Sequence, residues 1–159
     1  MKSSDNILNF YTKLFSADYY KGISGIYFQI VLNQLIKIGK LKSEKGLILD
    51  FGCGYKHLKN TLPNQNITGY DVLPHFTEIK DYTQLKPDVV VFNAVLQYMS
   101  ESELEKLLQD FKNMNPKIKI VIGTPTENKI SKLGKSILGL SHAHEGIKLH
   151  KNDIYKILS

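Results

Sequence analysis

Apolar residues in this chain recur with two different periods. Leu47-Ile48-Leu49 and Val89-Val90-Val91-Phe92 are short continuous runs, as in parallel strands buried on both faces. Ile67-Thr68-Gly69-Tyr70-Asp71 and Lys117 to Ile122 also read as strands, the second alternating lysine with isoleucine at its start. The other period is helical. Ile23, Ile26, Tyr27, Ile30, Val31, Leu35 and Ile38 recur at three- and four-residue steps, predicting a helix from about Ile23 to Lys40 that Gly39 helps to end. Tyr55 to Leu62 predicts a short helix stopped by Pro63. Ser100 and Glu103 form a capping-box pattern ahead of a buried stripe of Leu104, Leu107, Leu108, Phe111 and Met114, and Asn115-Pro116 ends that helix. Asn128 to Leu140 predicts an amphipathic basic helix weakened by Gly134 and Gly139, and 152–159 leaves room for one short helix more.

A length of 159 residues, 42% of them hydrophobic, predicts one domain with a substantial core. The single cysteine, Cys53, excludes an internal disulfide and suggests a reducing compartment. No apolar run reaches the length of a membrane span, and the lysine-bearing N-terminus lacks a signal-peptide core. A soluble, cytoplasmic protein is therefore expected. The formal charge of +6 comes from 21 lysines without one arginine. Bidentate reading of bases or phosphates usually recruits arginine, so sequence-specific nucleic-acid binding loses support. The lysines are scattered and read as a solvated surface; those of 128–140 fit a solvated helix face better than membrane contact.

The candidate chemistry sits where the first apolar run stops. Leu47-Ile48-Leu49 leads into Asp50, and Gly52 and Gly54 follow. Glycines at that spacing allow a sharp turn and bring a ligand close to main-chain N–H groups. A carboxylate two places before the first glycine suits a ligand with a positive group, such as an amino-acid ammonium. Asp71 ends the next strand, 21 residues after Asp50, where an acidic side chain can accept hydrogen bonds from both ribose hydroxyls.

Leu-Ile-Leu-Asp-Phe-Gly-Cys-Gly resembles the first motif of class I S-adenosylmethionine-dependent methyltransferases, and the resemblance extends over about residues 46–125. It implies an α/β, Rossmann-like, open and mainly parallel sheet with helices on both faces, truncated relative to the full fold. Within a single domain, 1–45 would be an N-terminal helical or lid segment, 46–125 the cofactor-binding core and 126–159 an acceptor-side helical segment. S-adenosylmethionine would be held by Asp50, Gly52, Cys53, Gly54, Asp71, Val72, Asp81 and Asn93, with Asp81 on the adenine amino group. Asn93, Gln97 and Tyr98 match the loop that faces the methyl group and its acceptor. His142 and His144 are the candidates for a base or a substrate-positioning role, a neutral imidazole having its pKa near working pH. A metal site is not expected, because His-x-His has no fixed third ligand. Tyr11, Tyr19 and Tyr20 either line the site or simply pack.

Three departures accompany the resemblance. Lys56 stands where a third glycine is usual, and its ammonium is expected in solvent, so that Lys56→Gly would leave cofactor affinity unchanged or improved. Only nine residues separate Asp71 from Asp81, too few for the usual helix and strand, so a third strand over His75 to Lys80 would be vestigial or absent. The remaining chain offers no room for the last two strands of a complete fold. The expected order is 3-2-1-4-5 with the fifth strand at or near an edge and an exposed flank beside it; either the natural chain is longer or this flank meets a partner such as a second copy.

The implied reaction is methyl transfer to an O or N atom of a small-molecule or glycan-like acceptor. The alternative is a domain of the same fold that binds a nucleotide or protein without catalysis. A dinucleotide-dependent oxidoreductase ranks last, since Gly52-x-Gly54-x-x-His57 lacks that fingerprint's final glycine.

Overall fold

The computed structural model of the chain describes residues 22–124 together with Leu149, Asn152, Ile154 and Ile157. Its centre is a sheet of four parallel strands, β1 (Ile48–Phe51), β2 (Ile67–Tyr70), β3 (Val89–Asn93) and β4 (Lys119–Gly123), in the order β2-β1-β3-β4. β1 is paired on both sides, Ile48 standing opposite Ile67 in β2 and Val89 in β3. The continuous apolar runs thus occupy the centre, as their pattern requires. Among the described residues β4 pairs only with β3, at the edge where the lysine-bearing strand was expected. Its Lys119 is held by Glu44 at 2.7 Å.

Strand alternation sorts the core into two layers. Ile48, Ile67, Val89, Val91 and Val121 pack on one face with Leu32, Leu35 and Ile36 of α1 (Gly22–Ile38) and Leu58 of α2 (His57–Thr61). Leu49, Phe51, Val90 and Phe92 pack on the other with Leu104, Leu107 and Phe111 of α3 (Glu101–Met114). Both arms of the capping box at Ser100 and Glu103 are formed. Helices on both faces of an open parallel sheet make this a Rossmann-like α/β architecture.

One expectation changes. The buried face of α1 is Leu32, Leu35 and Ile36, whereas Ile26, Tyr27, Ile30 and Ile38 are exposed, Ile38 by 79%. The helix is apolar nearly all round, so spacing alone does not single out a face; contact with the sheet selects it. The third strand, expected to be vestigial or absent over His75 to Lys80, does not form. Glu78 stands in for it: its N–H donates to the Gly69 carbonyl at 2.9 Å, and its carboxylate accepts from the Gly69 N–H at 2.8 Å. One residue thereby satisfies both backbone groups of Gly69 on the outer side of β2, leaving a shorter open edge.

Candidate functional site

The chain passes from β1 to β2 on one side and returns to β3 on the other, so the carboxyl ends of β1 and β3 border a switch point. Three segments converge there: the glycine turn after β1, Asp71 after β2, and the loop from Asn93 after β3. Asp50 lies two residues from Ile48 and faces the same layer, beneath α1 and α2. It is 4% exposed, and no donor among the described residues hydrogen-bonds its carboxylate. Burial first, then the charges of Asp71 and Glu78, push its pKa up to about 7.

Gly52 and Gly54 both have positive φ, 78° and 45°, which favours residues without a Cβ. Their surroundings differ. A Cβ on Gly52 would stand 2.1 Å from Val95 Cγ2, so this glycine lets the β3 loop close on the turn; a Cβ on Gly54 would meet nothing within 4 Å among the described residues. The open side of the turn is therefore at Gly54.

The main-chain N–H groups of this turn are spent internally, against the expectation that they face a ligand. Gly52 and Cys53 donate to the Tyr70 carbonyl at 2.7 and 3.1 Å, and Gly54 donates to Asp71 Oδ2 at 2.9 Å. The second oxygen of Asp71 accepts from Leu73 N–H at 2.9 Å, closing an Asx turn. Each carboxylate oxygen keeps a further lone pair for a ligand hydroxyl. Beside it Val72 is 77% exposed, an apolar side chain standing open at the end of β2. Cys53 is buried against Gly69, its thiol toward the Phe76 carbonyl, and burial pushes its pKa up to about 12. It packs in the core, with its thiol protonated at neutral pH.

Asp81 caps a short 3-10 turn over Tyr82–Gln84, accepting from the backbone N–H and the hydroxyl of Thr83 at 2.9 and 2.6 Å. These bonds hold its pKa low. Asn93 shares its face with Val91, and its Oδ1 lies over Gly123 at the end of β4. After it Ala94 takes a left-handed φ of 58°, turning the chain so that Val95 reaches Gly52. Gln97 is buried with its Oε1 unpartnered. His142, His144, Tyr11, Tyr19, Tyr20 and the 128–140 segment lie outside the described residues.

Lys56 caps the N-terminus of α2 in a left-handed conformation, φ 58° and ψ 36°, that costs a side-chain-bearing residue about 1 kcal/mol. Its ammonium is not free in solvent as expected: it stands 3.3 Å from Glu78 Oε1. Lys59 Nζ holds the same carboxylate through both oxygens, at 2.8 and 2.9 Å. Sequence reasoning missed Glu78 and Val95, because neither has a local signal; each acts on a residue brought to it by the sheet.

No family model matches the chain. Neither does any curated protein. Solved structures do. A SAM dependent methyltransferase from Archaeoglobus fulgidus is similar over 82% of this chain, at 19% identity and a TM-score of 0.55; the chain spans 66% of that structure's length. Magnesium protoporphyrin IX methyltransferase from Synechocystis PCC 6803, with bound SAH, is similar over 97% of this chain and 87% of its own, at 20% identity and a TM-score of 0.59. The fold is a class I methyltransferase-like fold, truncated to four strands among the described residues. No described helix is long and apolar enough to cross a membrane.

Proposed function

We propose that this chain binds S-adenosylmethionine and transfers its methyl group to an O or N atom of a small-molecule or glycan-like acceptor. The observation that carries the reading is Asp50: a carboxylate 4% exposed, without a hydrogen-bond donor among the described residues, at the switch point of a class I methyltransferase-like fold. An ionised carboxylate in that position calls for a cation, and the ammonium of an amino-acid group supplies one with three donors.

The other residues fit the same ligand. Asp71 has lone pairs left for the ribose hydroxyls, and exposed Val72 offers an apolar surface to the adenine. Asp81 and Asn93 complete the cofactor set, Asp81 as acceptor for the adenine amino group. Gly54, with open space among the described residues at its missing side chain, lets the ligand approach the backbone; Gly52 and Cys53 shape the turn beneath. The cofactor supplies a methyl group activated on a sulfonium sulfur. What the chain contributes is position, bringing the acceptor in line through the β3 loop with Asn93, Gln97 and Tyr98. His142 or His144 takes the proton where the acceptor must lose one.

A non-catalytic nucleotide- or protein-binding domain is the second reading, favoured by the missing helix between β2 and β3. Calorimetry with S-adenosylmethionine, S-adenosylhomocysteine and NADH on one preparation tests the cofactor. Binding of the first two and not the third is expected; binding of NADH alone, or of none, refutes the reading. Release of S-adenosylhomocysteine in the presence of an acceptor then separates catalysis from binding.

A further inference from the structure

We infer that Lys56 is a ligand-binding residue, whose ammonium leaves Glu78 to pair with the carboxylate of the ligand's amino-acid end while Asp50 holds the ammonium of that same end. The inference rests on the cofactor reading above and deepens it. An amino-acid group presents opposite charges a few ångströms apart, so a site that recognises it needs a fixed anion and a cation within reach of one another. Asp50 is the fixed anion, buried at the end of β1. Lys56 follows it by six residues across a turn made tight by two positive-φ glycines, and two positions after Gly54, where the described residues leave open space.

Two features of Lys56 support recruitment over a merely structural role. Its backbone is left-handed, in a place where glycine would be unstrained, so the lysine is kept against a local conformational cost. Its present pairing is also the dispensable one. Glu78 already has two short contacts from Lys59, at 2.8 and 2.9 Å, and one from the Gly69 N–H at 2.8 Å. Lys56 adds a fourth at 3.3 Å with its side chain 34% exposed. Moving it away leaves Glu78 paired and β2 capped. A flexible four-carbon stem permits the swing, and an ammonium needs no fixed approach angle.

The test compares S-adenosylhomocysteine with 5′-methylthioadenosine, which keeps the adenosine and thioether but lacks the amino-acid group. Calorimetry on the full chain at pH 8 is expected to show Lys56→Met weakening S-adenosylhomocysteine about 10- to 30-fold, with 5′-methylthioadenosine within about twofold of wild type. Lys56→Gly guards against misfolding, since it relieves the left-handed strain, and it should show the same selective loss. Lys56→Arg should recover most of the affinity. Unchanged S-adenosylhomocysteine binding in Met and Gly variants overturns the inference and leaves the cofactor reading intact, and so does an equal loss for both ligands. Wild type that binds neither ligand refutes the cofactor reading and the inference together.

Discussion

A carboxylate buried without a partner among the described residues makes the protein's stability depend on pH in an unusual direction. The Asp50 pKa is raised from 3.8 to about 7, so between those values the folded chain holds a proton that the unfolded chain has released. The stabilisation is full below pH 3.8, falls as pH rises, and is gone above about 7. Its size is on the order of a few kcal/mol. Urea unfolding of wild type and Asp50→Asn should therefore give stabilities that diverge from pH 4 to 8 in favour of the variant. Parallel profiles would show that Asp50 is ionised throughout. The ligand works in the opposite sense, because an ammonium needs the ionised form: wild-type affinity for S-adenosylhomocysteine should rise from pH 5.5 to 8, and that of Asp50→Asn should stay low and flat. Asp71 carries a double duty. It binds Gly54 N–H and Leu73 N–H within the protein as well as the proposed ribose. Asp71→Ala is thus expected to lose about 2–3 kcal/mol of stability in addition to cofactor affinity, both read on one sample by unfolding and calorimetry. An unchanged thermal midpoint would mean that these two bonds contribute nothing net.

Between β1 and α2 the two glycines share a motif but do different work. Gly52→Ala combines a φ of 78° with a clash against Val95, and should cost on the order of 2–4 kcal/mol. Gly54→Ala meets no atom of the described residues, so only its left-handed backbone is strained, at about 1 kcal/mol. Its methyl group would instead fill the open side of the turn and weaken the cofactor. Unfolding and binding measurements on the two variants should therefore rank them in opposite orders. A Gly52→Ala/Val95→Ala double variant should be more stable than the sum of the single changes, since the smaller side chain removes the clash. Additivity would mean that the turn and the β3 loop do not touch. The same economy appears at β2, where Glu78 alone pairs both backbone groups of Gly69 on the outer edge.

Across the molecule, ligand binding at a site assembled from three strand ends should be felt as global stability. S-adenosylhomocysteine at 100 times its Kd adds about 2.7 kcal/mol, or roughly 5–10 °C in thermal midpoint for a domain of this size, and NADH should add nothing. A shift for NADH alone would point to the oxidoreductase reading. Much of this architecture follows from the amino-acid sequence. The central strands are legible because a strand buried on both faces must be continuously apolar, as Leu47–Leu49 and Val89–Phe92 are. The Ser100–Glu103 cap and the α3 stripe are legible because their partners lie three or four residues away. Asp50, Gly52, Gly54 and Asp71 stand out because turn conformation and strand-end charge are local properties. Tertiary structure decides whatever depends on residues distant in the chain. It turns Leu32, Leu35 and Ile36 of α1 inward although Ile26 and Ile30 are just as apolar. It sets Val95 against Gly52 and gives Lys56 its place beside Glu78. It also consumes the N–H groups of the glycine turn on Tyr70 and Asp71. Sequence spacing limits which partners are possible, but only the packed sheet brings one of them within bonding distance.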